Sequence, residues 1–206
     1  MNPRRNPKRQ AILDAAKRAF LAHGYKSSSM EAIAEAAPVS KPTLYSHFKG
    51  KQELFAAVIA GQCEALLSTF SRVQTERQDP VASLKTIARD FVDLLYASEN
   101  LELYRLIIAE QHNFPSLGEV IYRSGPDSFH EQLSSYLTEL NAEGVLRIPD
   151  VETASQLFLG MLQGHKHFRC LMGLQPGSQA GLREAKKETI IDAAVSLFLK
   201  GHGYEA

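Results

Sequence analysis

Apolar residues recur at i, i+3, i+4 and i+7 along nearly the whole chain, while period-2 alternation bounded by turn residues is missing, so the sequence predicts an all-α protein. A first helix is expected from about Pro7 to His23, burying Ile12, Leu13, Ala16, Ala19 and Phe20 and stopping at Gly24. Two short helices follow. Ser28 with Glu31 forms a capping box for one reaching about Ala37, and Ser40 caps another to about Phe48, with Pro38 and Val39 between them. A fourth helix starts near Lys51 and carries Leu54, Phe55, Val58, Ile59, Leu66, Leu67 and Phe70 to the polar stretch 74–79. Asn100, Pro115, Gly125-Pro126 and Gly144 then punctuate helices expected at about 81–98, 101–112, 116–123 and 127–142. An Asp150 cap opens a long helix to about Met172, burying Ala154, Leu157, Phe158, Met161, Leu162 and Phe168. After a Gly/Pro/Ser-rich loop at 173–181, a last helix at about 182–200 is built around Ile190, Ile191, Ala194, Leu197 and Phe198. The segment Ile12–Leu21 is echoed by Ile190–Leu199, but nothing like the short helix pair follows the second copy, so two similar amphipathic helices are expected rather than a duplicated domain.

Composition narrows this. Over 206 residues, 44% apolar content with 22% charge is enough to bury a core and excludes a disordered chain. Cys63 and Cys170 lie far apart with no Cys-x-x-Cys or Cys/His cluster, which argues against a disulfide scaffold or structural zinc and suggests a reducing, cytoplasmic setting. No apolar run approaches the ~18 residues of a membrane span, and residues 1–10 lack the apolar region of a secretory signal. No metal or cofactor is expected.

The net charge of zero is a cancellation. Residues 1–51 hold ten Lys/Arg against three acids, a net +7, and the remaining 155 residues carry thirteen against twenty, a net −7. A basic head on an acidic body points to a polyanion as the partner of the first quarter of the chain.

The helix beginning at Ser40 supplies the chemistry. Leu44 and Phe48 share one face and must pack on Ile33 and Ala34, which leaves Pro42, Thr43 and Ser46 pointing away, flanked by Tyr45, His47 and Lys49. Hydroxyls, a phenol, an imidazole and ammonium groups suit the donors, acceptors and thymine methyls of a major groove. Ser28 and Ser29 at one helix start, and Lys51 at another, are placed for phosphates. Arg4, Arg5, Lys8 and Arg9 form an arm able to reach the backbone or minor groove.

These residues resemble the TetR/AcrR family of bacterial transcriptional regulators. The resemblance lies in Ile12–Ala16, Phe20, Gly24-Tyr25, Ile33-Ala34, Val39–Phe48 and Lys51–Leu54, covering about residues 8–60, and is weaker over Leu106–Pro126. It implies nine to ten helices: a three-helix helix-turn-helix DNA-binding domain at 1–52, then a larger ligand-binding and dimerisation domain at 53–206. It also implies a homodimer formed by the last two long helices and a small-molecule effector that shifts the helix near Lys51 and releases a double-stranded operator. Carried over residue by residue, Lys41, Pro42, Thr43 and Tyr45 make base or nearby phosphate contacts, while His47, Ser29 and Lys51 contact the backbone. One position departs from the family. The turn residue four after Ala34 is usually glycine and is Pro38 here, which forbids the positive φ glycine permits.

Dimerisation also follows from the size of the reader, because one recognition helix covers only about four base pairs and specificity needs two half-sites about 34 Å apart on a near-palindrome. Candidate interface residues are Leu157, Met161, Ile191, Ala194 and Phe198. Candidate pocket residues are Phe91, Tyr96, Tyr104, Phe114, Tyr122, Phe129, Met161, His165 and Phe168, which would suit an apolar or aromatic effector. A repressor is expected, since blocking a promoter needs only tight binding, with activation the alternative. The rival classes are a small helical enzyme working through Glu110 and His112 or His165 and His167, and a DNA-bound regulator answering to a protein partner. No nucleophile elbow, phosphate loop or dinucleotide fingerprint supports the enzyme.

Overall fold

The computed structural model describes residues 6–76, 79–174 and 184–204, which form ten α-helices. They are α1 (Pro7–Ser27), α2 (Met30–Ala36), α3 (Lys41–His47), α4 (Lys51–Glu76), α5 (Pro80–Tyr96), α6 (Ser98–Glu110), α7 (Pro115–Ser124), α8 (Pro126–Ala142), α9 (Val151–Leu171) and α10 (Glu184–Gly201). The all-α expectation holds, element by element. Arg4, Arg5, most of the 173–181 loop and the expected helix start near 182 lie outside the described residues.

Helix ends follow local chemistry. Asn6 caps α1 by accepting from Lys8 N–H at 3.0 Å, and Asp79 and Asp150 cap α5 and α9, each followed by an oriented first turn. Gly24 sits at φ 79, so the regular part of α1 stops where the sequence placed its end. One further turn, Tyr25–Ser27, follows the break. In α9 a second break occurs at Gly164 (φ 55), and the Tyr96 hydroxyl donates at 3.0 Å to Gln163 O, the carbonyl just before it.

Two compact units result. The first comprises residues 1–62 and 102–125, the second residues 63–101 and 126–206. α4 and α6 thus each contribute to both. In the first unit Phe20 and Phe55 meet edge-on at 4.8 Å, with Tyr25 against both. Ile12, Ala16, Ile33, Leu44, Leu54, Val58, Leu103 and Leu117 complete this core. The second core gathers Phe70, Leu84, Ile87, Phe129, Leu133, Leu137, Phe158, Leu162, Ile191 and Phe198. α5 and α10 are additionally tied by Lys85–Asp192 at 2.7 Å, Arg89–Glu188 at 2.8 Å and Asp93–Lys187 at 2.6 Å. The Arg89 pair is bidentate, through Nε and Nη2.

Several expectations are corrected. Ile191, Ala194 and Phe198 belong to the second core, with exposures of 0–3%, so they are not available to a partner chain. The outward apolar face of these helices is instead carried by Leu157 (63% exposed), Phe168 (57%) and Leu197 (65%), two of which the sequence had placed among buried positions. A helix with apolar residues all round does not announce which face meets its own core. Cys63 and Cys170 are free, buried thiols, and burial pushes the Cys63 thiol up to about 11.

Candidate nucleic-acid interface

The helix pair of the first unit is held from below and open above. Ser29, not Ser28, caps α2, accepting from Ala32 N–H at 3.1 Å. Ser28 is turned inward, its hydroxyl donating to Gly24 O at 2.7 Å with Ala19 O at 3.1 Å, which removes it from the candidate phosphate contacts. Its register beside Ser29 made the two indistinguishable in sequence.

α2 ends in a turn closed by Val39 N–H to Ala34 O at 3.1 Å, a bond that spans six residues and demands a left-handed residue in between. That residue is Pro38, at φ 23. At φ 23 Pro38 stands outside the range near −65° that its ring enforces, so the glycine-type path of this turn is one that proline fits poorly.

On α3, Ser40 Oγ accepts from Thr43 N–H at 3.3 Å and Phe48 N–H donates to Leu44 O at 3.0 Å, so the seven-residue helix is closed at both ends. Leu44 and Phe48 are buried, as their spacing predicts. The Arg9 guanidinium lies 5.2 Å over the Phe48 ring, which draws this arm residue onto the domain. Outward stand Lys41, Pro42, Tyr45, Ser46 and Lys49, with Thr43 and His47 half-buried. Tyr45 is 46% exposed. Ser46 Oγ donates to Thr43 O at 2.7 Å, and the Thr43 and Ser40 hydroxyls are 2.8 Å apart. Lys41 pairs loosely with Glu31 at 3.7 Å, both largely exposed. The exposed polar side of α3 is thus carried on one short, capped, well-packed helix.

Lys51 is placed differently from expectation. Its ammonium donates to Tyr25 O at 2.8 Å, Ser28 O at 3.0 Å and Lys26 O at 3.1 Å, and lies 4.6 Å over the Tyr25 ring. All three of its protons are occupied within the chain. Burial lowers the pKa of this ammonium, and the Glu110 carboxylate opposes that shift. Burial, with Glu110 second, raises that of the Tyr25 phenol. Glu110, at the end of α6, accepts from Lys26 N–H at 3.3 Å. Phe114 meets Tyr25 edge-on at 5.0 Å, and Gln52 donates to Ser116 Oγ at 3.2 Å. At α4, Glu53 Oε2 accepts from Lys49 N–H at 2.8 Å.

The candidate pocket residues divide. Phe91 stacks on Phe129 at 5.0 Å, and Tyr96 meets the buried His167 edge-on at 5.7 Å; Met161 packs on the same core. Phe114 is instead part of the first unit's core, and Tyr104 and Tyr122 also fall in that unit, Tyr122 exposed. His165 and Phe168 face outward in the single chain. The enzyme pairs gain nothing: Glu110 is engaged by the Tyr25–Ser28 segment, and His165 is exposed where His167 is buried. Among the described residues no group of His, Cys, Asp or Glu is arranged to hold a metal, and no single helix is long and apolar enough to cross a membrane.

A helix-turn-helix with a polar outer face, on a chain whose remaining helices build a second core as well, defines the class of helical DNA-binding regulators. Comparison with known proteins sharpens this. Residues 12–58 match the family described as bacterial regulatory proteins, tetR family, and residues 82–204 match the C-terminal domain of the AefR-like transcriptional repressors. The chain belongs to the TetR family and is a DNA-binding transcriptional regulator of that family. A crystal structure of a Mesorhizobium loti protein assigned to TetR-family regulators superposes with a TM-score of 0.78 at 30% identity, covering 95% of this chain and 96% of that one. The flavonoid-responsive regulator FrrA superposes with a TM-score of 0.71 at 32% identity, covering 94% and 96%. The transcriptional activator FasR of Mycolicibacterium smegmatis is 32% identical over 52% of this chain, a match that spans about half (48%) of FasR's own length.

Proposed function

We propose that this chain is a homodimeric repressor that binds a near-palindromic operator through α3 and is released by a small apolar or aromatic effector. DNA binding would reside in residues 1–52, and effector binding and dimerisation in residues 53–206. The carrying observation is the outer face of α3, where Pro42, Tyr45 and Ser46 are exposed above a core sealed by Leu44 and Phe48. Lys41, Pro42, Thr43, Tyr45 and Ser46 address base edges and adjacent phosphates, and His47 and the α2 N-terminus at Ser29 address the backbone. The +7 of residues 1–51 supplies a sequence-independent attraction.

For the dimer, Ile190, Ala193 and Leu197 on α10 recur at i, i+3 and i+7, giving that helix one apolar stripe, and Leu157 and Met161 lie four apart on α9 before its break at Gly164, with Phe168 exposed beyond it. The exposure of Leu157, Phe168 and Leu197 supports a second copy as the cover. For the effector, Phe91, Tyr96, Phe129 and Met161 supply aromatic and apolar surface in one core, and FrrA's flavonoid response supports a ligand of that chemistry. The AefR-like match supports repression.

The test is selection of bound fragments from genomic DNA, followed by titration of the selected site. Wild type should prefer a two-fold-related sequence, with affinity falling steeply as salt rises, and Tyr45→Ala should narrow the gap between selected and random DNA about tenfold or more. Equal binding of all fragments by wild type would overturn the reading.

A further inference from the structure

The segment Tyr25–Ser28 joins the Gly24 break in α1 to the Ser29 cap of α2, and it is gripped from two directions. From α4, the Lys51 ammonium gathers the Tyr25, Lys26 and Ser28 carbonyls at 2.8, 3.1 and 3.0 Å. From α6, the Glu110 carboxylate takes the Lys26 N–H at 3.3 Å, and Phe114 lies edge-on to Tyr25. Resting on the reading of this chain as an operator-binding protein, we infer that Lys51 and Glu110 are positioning residues for DNA binding: they clamp the Tyr25–Ser28 segment, and so the start of α2, rather than meeting the DNA.

The chemistry separates this role from a phosphate contact. An ammonium has three protons, and three convergent carbonyls take all of them. To reach a phosphate, Lys51 would have to release the turn that sets the Ser29 cap. The segment's carbonyls meet the cation and its Lys26 N–H meets the anion, so backbone dipoles bridge the two charges and each side chain strengthens the hold of the other.

The full chain is used for the test, as wild type, Lys51→Met, Lys51→Arg, Glu110→Gln and the Lys51→Met/Glu110→Gln double variant. Amide hydrogen exchange needs no DNA. The clamp predicts at least tenfold faster exchange at Lys26 and Ala32 in Glu110→Gln and Lys51→Met, with α8–α10 unchanged. Titration of a fragment selected by wild type should show about tenfold weaker binding for each single variant, a double variant no weaker than either, and an unaltered dependence on salt. Lys51→Arg keeps the charge but offers a planar fork to carbonyls that converge on a point, so it should bind as poorly as Lys51→Met. A salt slope lower by about one unit in Lys51→Met, or full binding by Lys51→Arg, would mark a phosphate contact and overturn the clamp. So would additive losses, or unchanged exchange at Lys26 in Glu110→Gln. Absence of specific binding by wild type would count against the operator reading alone, since the exchange arm still judges the clamp.

Discussion

At the scale of the residue, Pro38 is where local preference and fold disagree most openly. Its φ of 23 lies far from the value near −65° that its ring favours. Pro38→Gly loosens the unfolded chain by about 0.4–1 kcal/mol but removes the strain and restores an N–H to the end of α2. The expected outcome is a thermal midpoint raised by a few degrees in a calorimetric scan; a lowered midpoint would show that the turn is relaxed. His167 makes a second case. Burial holds its imidazole below the ordinary value of 6.5, so the unfolded chain takes up a proton before the folded one does. Its contribution to stability is complete above about pH 6.5 and shrinks as pH falls, at up to about 1.4 kcal/mol per pH unit. His167→Gln should flatten the fall in thermal midpoint between pH 6.5 and 5, and an identical fall in both proteins would refute this.

At the scale of the element, the three ion pairs between α5 and α10 differ in burial and so in consequence. Lys187 is 8% exposed while Lys85 and Arg89 are far more open. Asp93→Asn removes the charge facing a buried ammonium and should cost on the order of 1 kcal/mol, whereas Asp192→Asn, at a solvated pair, should cost a few tenths. Chemical denaturation of the two variants measures the contrast, and equal losses would show that burial does not set the ranking. The elements themselves are legible in sequence because caps, breaks and apolar spacing are local: Asp150, Ser40 and Gly24 act where the sequence places them, whereas the Asp79 cap is seen only in the structure. Which side of α3 faces outward was legible for the same reason, since Leu44 and Phe48 fix the buried side by their four-residue spacing. What joins distant segments was not. Glu110 and Lys26 are separated by 84 residues, and nothing near either points to the other. Lys51 reads equally well as a phosphate ligand or a carbonyl clamp until its neighbours are placed. Ile191 and Leu197, similar in kind and on one helix, differ only in whether α5 and α9 or solvent lies alongside.

At the scale of the whole molecule, the proposed dimer makes stability depend on concentration. Leu157→Glu or Leu197→Glu places charge on the outward stripe while sparing the core. Such a variant should sediment as a monomer, keep its helical circular dichroism, and lose affinity for a two-fold site by far more than for random DNA. Retention of a dimer would remove that face from consideration. The opposed charges of the two stretches, +7 and −7, add direction: the acidic body repels the polyanion that the basic head attracts.

The two cores share no residue: Phe20, Leu44 and Phe55 stabilise one, Phe158, Ile191 and Phe198 the other. A polar substitution in the first core therefore leaves the packing residues of the second untouched. On the proposed dimer this has a genetic consequence. A cell carrying one intact allele and one with, for example, Leu44→Asp would make mixed pairs holding a single competent reading head, and with equal expression only a quarter of the pairs would be wholly intact. Loss-of-function alleles in residues 6–62 should then be dominant, whereas alleles that destroy the second core should be recessive, because their products cannot pair at all.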